Sequence, residues 1–286
     1  MKVSSKKCKE KAKAGRQGKI EKKIYISCDM EGCAGVTSWE QTHYGHKGYD
    51  LALKEMTRET VAAVKACQQA GYQVTVKDGH EDGINLDPAL LPAGTELIQG
   101  WDSSPEEMMA GISADYAGAI HIGSHSPAGS SETPLDHTVE HGWYSWVKLN
   151  GELASEFTFN SLCAAQYGVP SLFLAGDAGI CRRAEDFCPG IVTCATKKGV
   201  GSATVNKSPQ EVAAGIATGI KEALAGPGGL PLLADEYLLE FCFSSAGRAR
   251  AASFYPGAER AGERIVSYRA KSIMELLTAK MFMTEI

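Results

Sequence analysis

Several absences narrow the possibilities before any motif is considered. No apolar run in the 286 residues approaches the roughly 20 that a helix needs to cross a bilayer, so no membrane partner is expected. The first residues lack an apolar h-region, so no secretory signal is expected either. There is no GxxxxGK-S/T loop and no GxGxxG after the first strand, which leaves nucleotide chemistry unsupported. The GxSxG elbow of serine hydrolases is missing as well. The nine cysteines are odd in number and contain no CxxC pair, so they read as reduced thiols of a cytoplasmic protein. Basic charge is scarce beyond the start. The first 23 residues carry ten Lys/Arg against two Glu, leaving 19 basic against 32 acidic residues. An acidic body argues against nucleic-acid binding, and residues 1–22 read as a basic, disordered tail.

What remains alternates between strands and helices. "IYIS" (24–27) is β-prone and apolar. Leu53, Met56, Thr60, Val64 and Cys67 recur at helical spacing, which predicts a helix over 50–70 stopped by Gly71. Strands are predicted at 72–80, 95–100 and 117–125, with a helix at 105–112 behind Pro105. A Gly/Ser/Pro-rich loop covers 124–142. A hairpin over 143–157 turns at Asn150-Gly151 and leads into a helix ending at Tyr167. Strands at 169–177, 190–195, 235–243 and 263–269 follow, with helices at 179–187 and 208–224 and an amphipathic one at 271–283. This order predicts an α/β fold: a mixed, largely parallel sheet flanked by helices, with a smaller C-terminal α/β portion. "AGPGGLP" (225–231) is the candidate joint, and no internal repeat is visible.

Three strands end in ligand-type residues: Asp29-Met30-Glu31, Asp78-Gly79-His80 and Gly123-Ser124-His125. In open α/β sheets the working crevice lies beyond the carboxyl ends of strands, so these ends are expected to converge. Asp29 and Glu31 would repel one another there, and a cation would remove the repulsion. Two carboxylates with two imidazoles suit zinc and tolerate manganese or cobalt. Of the other histidines, His43 and His46 read as solvated and His121 as a core residue. His137 and His141 share helical spacing without the Glu of an HExxH motif. His137 is the better catalytic candidate, because a mobile loop can carry an imidazole over a preformed site.

"SCDMEG" (27–32) resembles the SxDxEG signature of the D-aminopeptidase family, the M55 zinc metallopeptidases. The resemblance runs from Ile24 to near Ile286 and takes in "VKDGH", "GSH", "LNGELASEF", "GVPSLFLAGD" and "SIMELLTAKMF". It implies a catalytic unit over 23–286 and two zinc ions held by Asp29, Glu31, His80, His125 and Glu156, with Asp29 bridging. Glu156 is preferred to Glu152 by its distance from the "GVPSLFLAGD" strand. The resemblance further implies His137 as the catalytic histidine, small peptide substrates with an N-terminal D-residue, and a ring-like homo-oligomer with ten copies as one candidate size. Lys77 stands where the family usually has Asn, which is expected to alter the site rim. Two rivals differ in class: another metal-dependent amidohydrolase or phosphoesterase, and a protein that holds a metal or peptide without turnover.

Overall fold

The protein is described by a computed structural model over residues 22–285, so almost all of the expected basic tail lies outside the described residues. Its strands and helices are β1 (Lys23–Cys28), α1 (Tyr49–Gln69), β2 (Gln73–Asp78), β3 (Thr95–Ile98), β4 (Tyr116–Ser124), β5 (Tyr144–Leu149) and β6 (Glu152–Leu153). Then come α2 (Glu156–Gln166), β7 (Ser171–Asp177), α3 (Ala178–Phe187), β8 (Val192–Val200), β9 (Ala203–Asn206) and α4 (Pro209–Ala225). The chain closes with β10 (Tyr237–Phe243), α5 (Ala246–Ala252), β11 (Glu259–Arg260), β12 (Ile265–Ala270) and α6 (Ile273–Thr284).

Two sheets result. The larger has the order β3-β2-β1-β4-β7-β8-β9 and is parallel except for the β8–β9 pair. Its central strands read as unbroken apolar runs because both faces are covered; Ile24 to Cys28 is buried at every position. Helices α1 and α4 pack on one face, and α2, with the smaller sheet behind it, covers the other. The smaller sheet, β11-β12-β10-β5-β6, is antiparallel. It joins the Asn150-Gly151 hairpin to the C-terminal strands, so the predicted C-terminal portion borrows two strands from mid-chain. Asn150 and Gly151 both have positive φ, as a tight hairpin turn requires.

The strand order places the site. The chain runs outward from β1 through β2 to β3, then returns to the other side of β1 as β4. The crevice of such a sheet opens at this reversal. There the strand ends approach closely: the Gly32 amide donates to the Gly123 carbonyl at 2.7 Å. A Cβ on Gly32 would lie 1.8 Å from the Ser124 carbonyl oxygen, so only glycine permits that approach.

Several expectations need correction. The helix predicted at 105–112 is only a 3-10 turn at Glu107–Met109. Pro105 and Gly111 leave too few residues between them for a cooperative helix. The last helix is not amphipathic: α6 lies between α2 and the smaller sheet and is buried on most sides. The strand near 190–195 continues to Val200, and β9, α5 and β11 were not foreseen. The loop at 124–142 is no loose flap. Thr138 Oγ1 donates to the Ala154 carbonyl at 2.9 Å, and the Gly129 amide donates to Asp136 at 2.9 Å. Among the described residues no helix is long and apolar enough to cross a membrane.

Candidate metal centre

Asp29, Glu31, His80, His125, His137 and Glu156 converge beyond the carboxyl ends of β1, β2 and β4. They form two groups of potential ligands, Asp29 with Glu31 and His80, and His125 with His137 and Glu156. Asp29 stands between the groups: its Oδ1 lies 3.2 Å from His80 Nδ1 and its Oδ2 lies 3.4 Å from His125 Nε2. A cavity of about 90 Å³ opens onto both groups.

Each imidazole is oriented by a backbone carbonyl on its outer nitrogen. His80 Nε2 meets the Thr42 carbonyl at 2.7 Å, His125 Nδ1 the Ser126 carbonyl at 3.1 Å, and His137 Nδ1 the Leu135 carbonyl at 3.0 Å. A nitrogen bonded to a carbonyl must carry the proton, so in a neutral ring the inner nitrogen is left as a lone-pair donor. Those inner nitrogens face carboxylates, acceptors facing acceptors. His80 Nδ1 lies 3.1 Å from Glu31 Oε2, and His125 Nε2 lies 3.5 Å from Glu156 Oε2. The contacts are close but poorly aligned, and Glu31 Oε2 and His125 Nε2 are buried without a hydrogen-bond partner.

The electrostatics agree. Burial opposes charge on every one of these groups, yet the Glu31 carboxylate and Asp29 hold His80 well above the usual imidazole range. Against the same burial, Glu156 and Asp29 raise His125 likewise. Burial would raise Asp29, but the neighbouring His125 and His80 imidazoles bring it well below the usual carboxylate range. The cluster therefore demands positive charge at its centre, and a divalent cation meets both that demand and the lone-pair geometry. His137 differs. Burial, with the neighbouring His125 adding to it, lowers its pKa, so it stays neutral; its ring stacks on His125 at 3.9 Å between centroids.

The neighbourhood sorts the remaining candidates. Glu156 opens α2, where Ser155 caps the helix, and its Oε1 accepts the Val139 amide at 2.7 Å. Glu152 is exposed in the β5–β6 hairpin, away from the cluster. His121 is a core residue, bonded to Ser171 and driven by burial to a pKa of about 3. His46 is exposed, whereas His43 is half-buried at the mouth of the cavity, because the Thr42 carbonyl ties its loop to His80. His141 stacks on Trp39 at 4.3 Å between ring centroids. Lys77 is wholly buried rather than on the rim, and its Nζ donates to the carbonyls of Asp78 at 2.5 Å and Gly100 at 2.9 Å.

Three supports escaped the sequence. Asp177 accepts from the Ser126 amide and hydroxyl at 2.7 and 2.6 Å, fixing the residue after His125 while capping α3. An Asp at a strand end before a helix was a readable cap signal for it. Buried Lys197 donates to the Glu31 and Val36 carbonyls and so braces the loop that carries Glu31. Val139 has φ +68, a left-handed conformation that costs a β-branched residue roughly 1–3 kcal/mol. Its amide is the one that orients Glu156, so the strain sits where the site is assembled. No sequence pattern marked Lys197 or Val139.

Comparison with known proteins gives the family. The family described as D-aminopeptidase matches residues 22–282. A D-aminopeptidase of Bacillus subtilis (strain 168) is 29% identical over 269 residues, covering 92% of this chain and 97% of its own. A solved structure, the Zn-dependent D-aminopeptidase DppA from Bacillus subtilis, described as a self-compartmentalizing protease, superposes with a TM-score of 0.84. It too is 29% identical, with 92% of this chain and 97% of that one covered. With its sheet order, its cluster of carboxylates and imidazoles and a family match over almost its whole length, the chain belongs to the M55 family of D-aminopeptidases.

Proposed function

We propose that this chain, a metallo-aminopeptidase by family, hydrolyses small peptides with an N-terminal D-residue at a dinuclear zinc site. In this reading Asp29, Glu31 and His80 would hold one ion and His125 and Glu156 the other, with Asp29 as the carboxylate that faces both groups. The observation that carries the proposal is the cluster itself: imidazoles turned by backbone carbonyls so that lone pairs face carboxylates across a buried cavity. Zinc bound there supplies Lewis-acid polarisation of a carbonyl and activation of a water. The protein's own part is to hold that constellation dry and rigid and to move a proton. His137, neutral and with its Nε2 lone pair 3.7 Å from Glu156, would first take a proton from the attacking water and then pass it to the leaving amine. A second reading has its own support: the His137 Nε2 groups with His125 and Glu156, which would make it a third ligand of that ion.

The D-preference rests on the relatives, whose names state it. From the self-compartmentalizing relative we also infer a ring-like homo-oligomer built from a single catalytic unit over 23–286. The eight described cysteines are unpaired, which supports a reducing, cytoplasmic setting. The test is a panel of D- and L-aminoacyl p-nitroanilides beside phosphate esters, with and without a chelator. Chelator-sensitive cleavage of D-aminoacyl amides is expected. Turnover of the phosphate esters alone would replace the reading with a phosphoesterase, and no turnover with tight zinc binding would replace it with a binding protein.

A further inference from the structure

A larger cavity of about 300 Å³ adjoins the metal cluster. Gly79, Glu81, Val139, Glu140 and Glu156 line both spaces, so a group held at the cluster continues into the larger one. The larger cavity has apolar walls of Trp101, Met108, Trp143, Phe159 and Met281. Its two tryptophans are immobilised. Trp101 is 43% exposed, yet its indole N–H donates to the Glu81 carbonyl at 2.8 Å and Lys77 Nζ lies 4.3 Å from its ring centre. Trp143 carries the Arg248 guanidinium 3.3 Å from its ring centre. A large aromatic held rigid in an exposed position loses little entropy when it receives a ligand.

The charges are one-sided. Asp102, Glu107, Glu140 and Glu285 line the cavity, and the only lining cation among the described residues, Lys280, is already ion-paired with Glu107. A carboxylate entering it finds like charge and, among the described lining residues, no cation outside the Lys280–Glu107 pair. We propose that this cavity receives the side chain of the substrate's N-terminal residue, that it selects bulky apolar or aromatic groups over small ones and rejects anionic ones, and that Trp101 is its specificity-determining wall. This rests on the aminopeptidase reading above.

The experiment compares kcat and KM for the p-nitroanilides of D-Phe, D-Ala, D-Gln and D-Glu on wild type and on Trp101→Ala, Trp101→Phe and Asp102→Lys. In wild type, kcat/KM for D-Phe should exceed that for D-Ala by about 10–100-fold, in keeping with the extra apolar surface buried. D-Gln should exceed D-Glu by at least about tenfold. Trp101→Ala should shrink the D-Phe to D-Ala ratio by about tenfold, mainly through KM, and Trp101→Phe should restore most of it. Asp102→Lys, at an exposed rim position, should narrow the gap between D-Gln and D-Glu, and it tests the charge argument should Trp101→Ala fail to fold. Equal losses on D-Phe and D-Ala in Trp101→Ala would show a structural role and overturn the assignment. A wild type that cleaves D-Ala at least as well as D-Phe would overturn the pocket while leaving the aminopeptidase reading standing. Failure to cleave any D-aminoacyl amide would overturn both.

Discussion

Glu59 offers a test of the electrostatics that does not involve catalysis. It lies on α1, 1% exposed, behind the loop that follows β1. Its Oε1 accepts the Ala34 amide at 2.8 Å, while its Oε2 is buried without a partner. Burial, only partly offset by that amide and by Lys197, raises its pKa from 4.5 to about 7. At about 1.4 kcal/mol for each pH unit, that gap makes ionised Glu59 a liability of about 3 kcal/mol to the folded state. Because the folded pKa is the higher one, the favourable contribution is complete below pH 4.5 and is lost as pH rises through about 7. Glu59→Gln keeps the acceptor for Ala34 and cannot ionise. Relative to wild type it should gain about 2.5 kcal/mol between pH 5 and pH 8, with most of that gain accruing between pH 5 and pH 7. Urea denaturation of both proteins at several pH values, with zinc held equal, reads this difference directly. Parallel stability–pH curves for the two proteins would refute the reasoning.

Four other outcomes are expected. His137→Ala should keep its zinc and lose about 10²–10⁴-fold in kcat, whereas His125→Ala should lose metal with activity; zinc content and kcat measured side by side decide, and metal loss in both would make His137 a ligand. Asp29→Asn should release more zinc than Glu31→Gln, since only Asp29 reaches both groups; equal retention by elemental analysis removes the bridge. Lys197→Met should cost about 2–4 kcal/mol in urea unfolding, because the carbonyls of Glu31 and Val36 lose a charged donor, and a cost within about 0.5 kcal/mol would show that water replaces it. Light scattering at micromolar concentration should find a homo-oligomer, and a monomer would contradict the ring-like assembly.

The parts of the fold that showed in the sequence are those where one physical signal dominates. Strands β1, β4 and β7 are buried on both faces and so are written as apolar runs. Helix α1 buries Met56, Thr60, Ala63, Val64 and Cys67 against the sheet, and Gly71, with φ +86, ends it. Elements stabilised by neighbours rather than by their own pattern did not show. The exposed pair Glu259–Arg260 of β11 has no alternation to detect and exists because β12 offers an edge. Helix α6 carries too little contrast between its faces to reveal that it would be buried on most of them.

The candidate site divides along the same line. Asp29, Glu31, His80 and His125 follow strands that are adjacent in the sheet, so motif and topology point to one place. Glu156 had no such signal, because it is delivered from elsewhere. The β5–β6 hairpin belongs to the smaller sheet and hands the chain to Ser155, whose cap starts α2 with Glu156 as its first residue. Val139, which orients Glu156, lies in the loop before that hairpin, and Thr138 ties the loop to Ala154 just after it. Four of the six residues, Asp29, Glu31, His80 and His125, are thus carried by the parallel sheet, while Glu156 and His137 come from the hairpin and its preceding loop. A residue of this kind is fixed by how two sheets pack, a long-range property that short-range periodicity does not encode. The same arrangement makes the cluster sensitive to that packing: a shift of the smaller sheet would move Glu156 and His137 together and leave Asp29, Glu31 and His80 where β1 and β2 hold them.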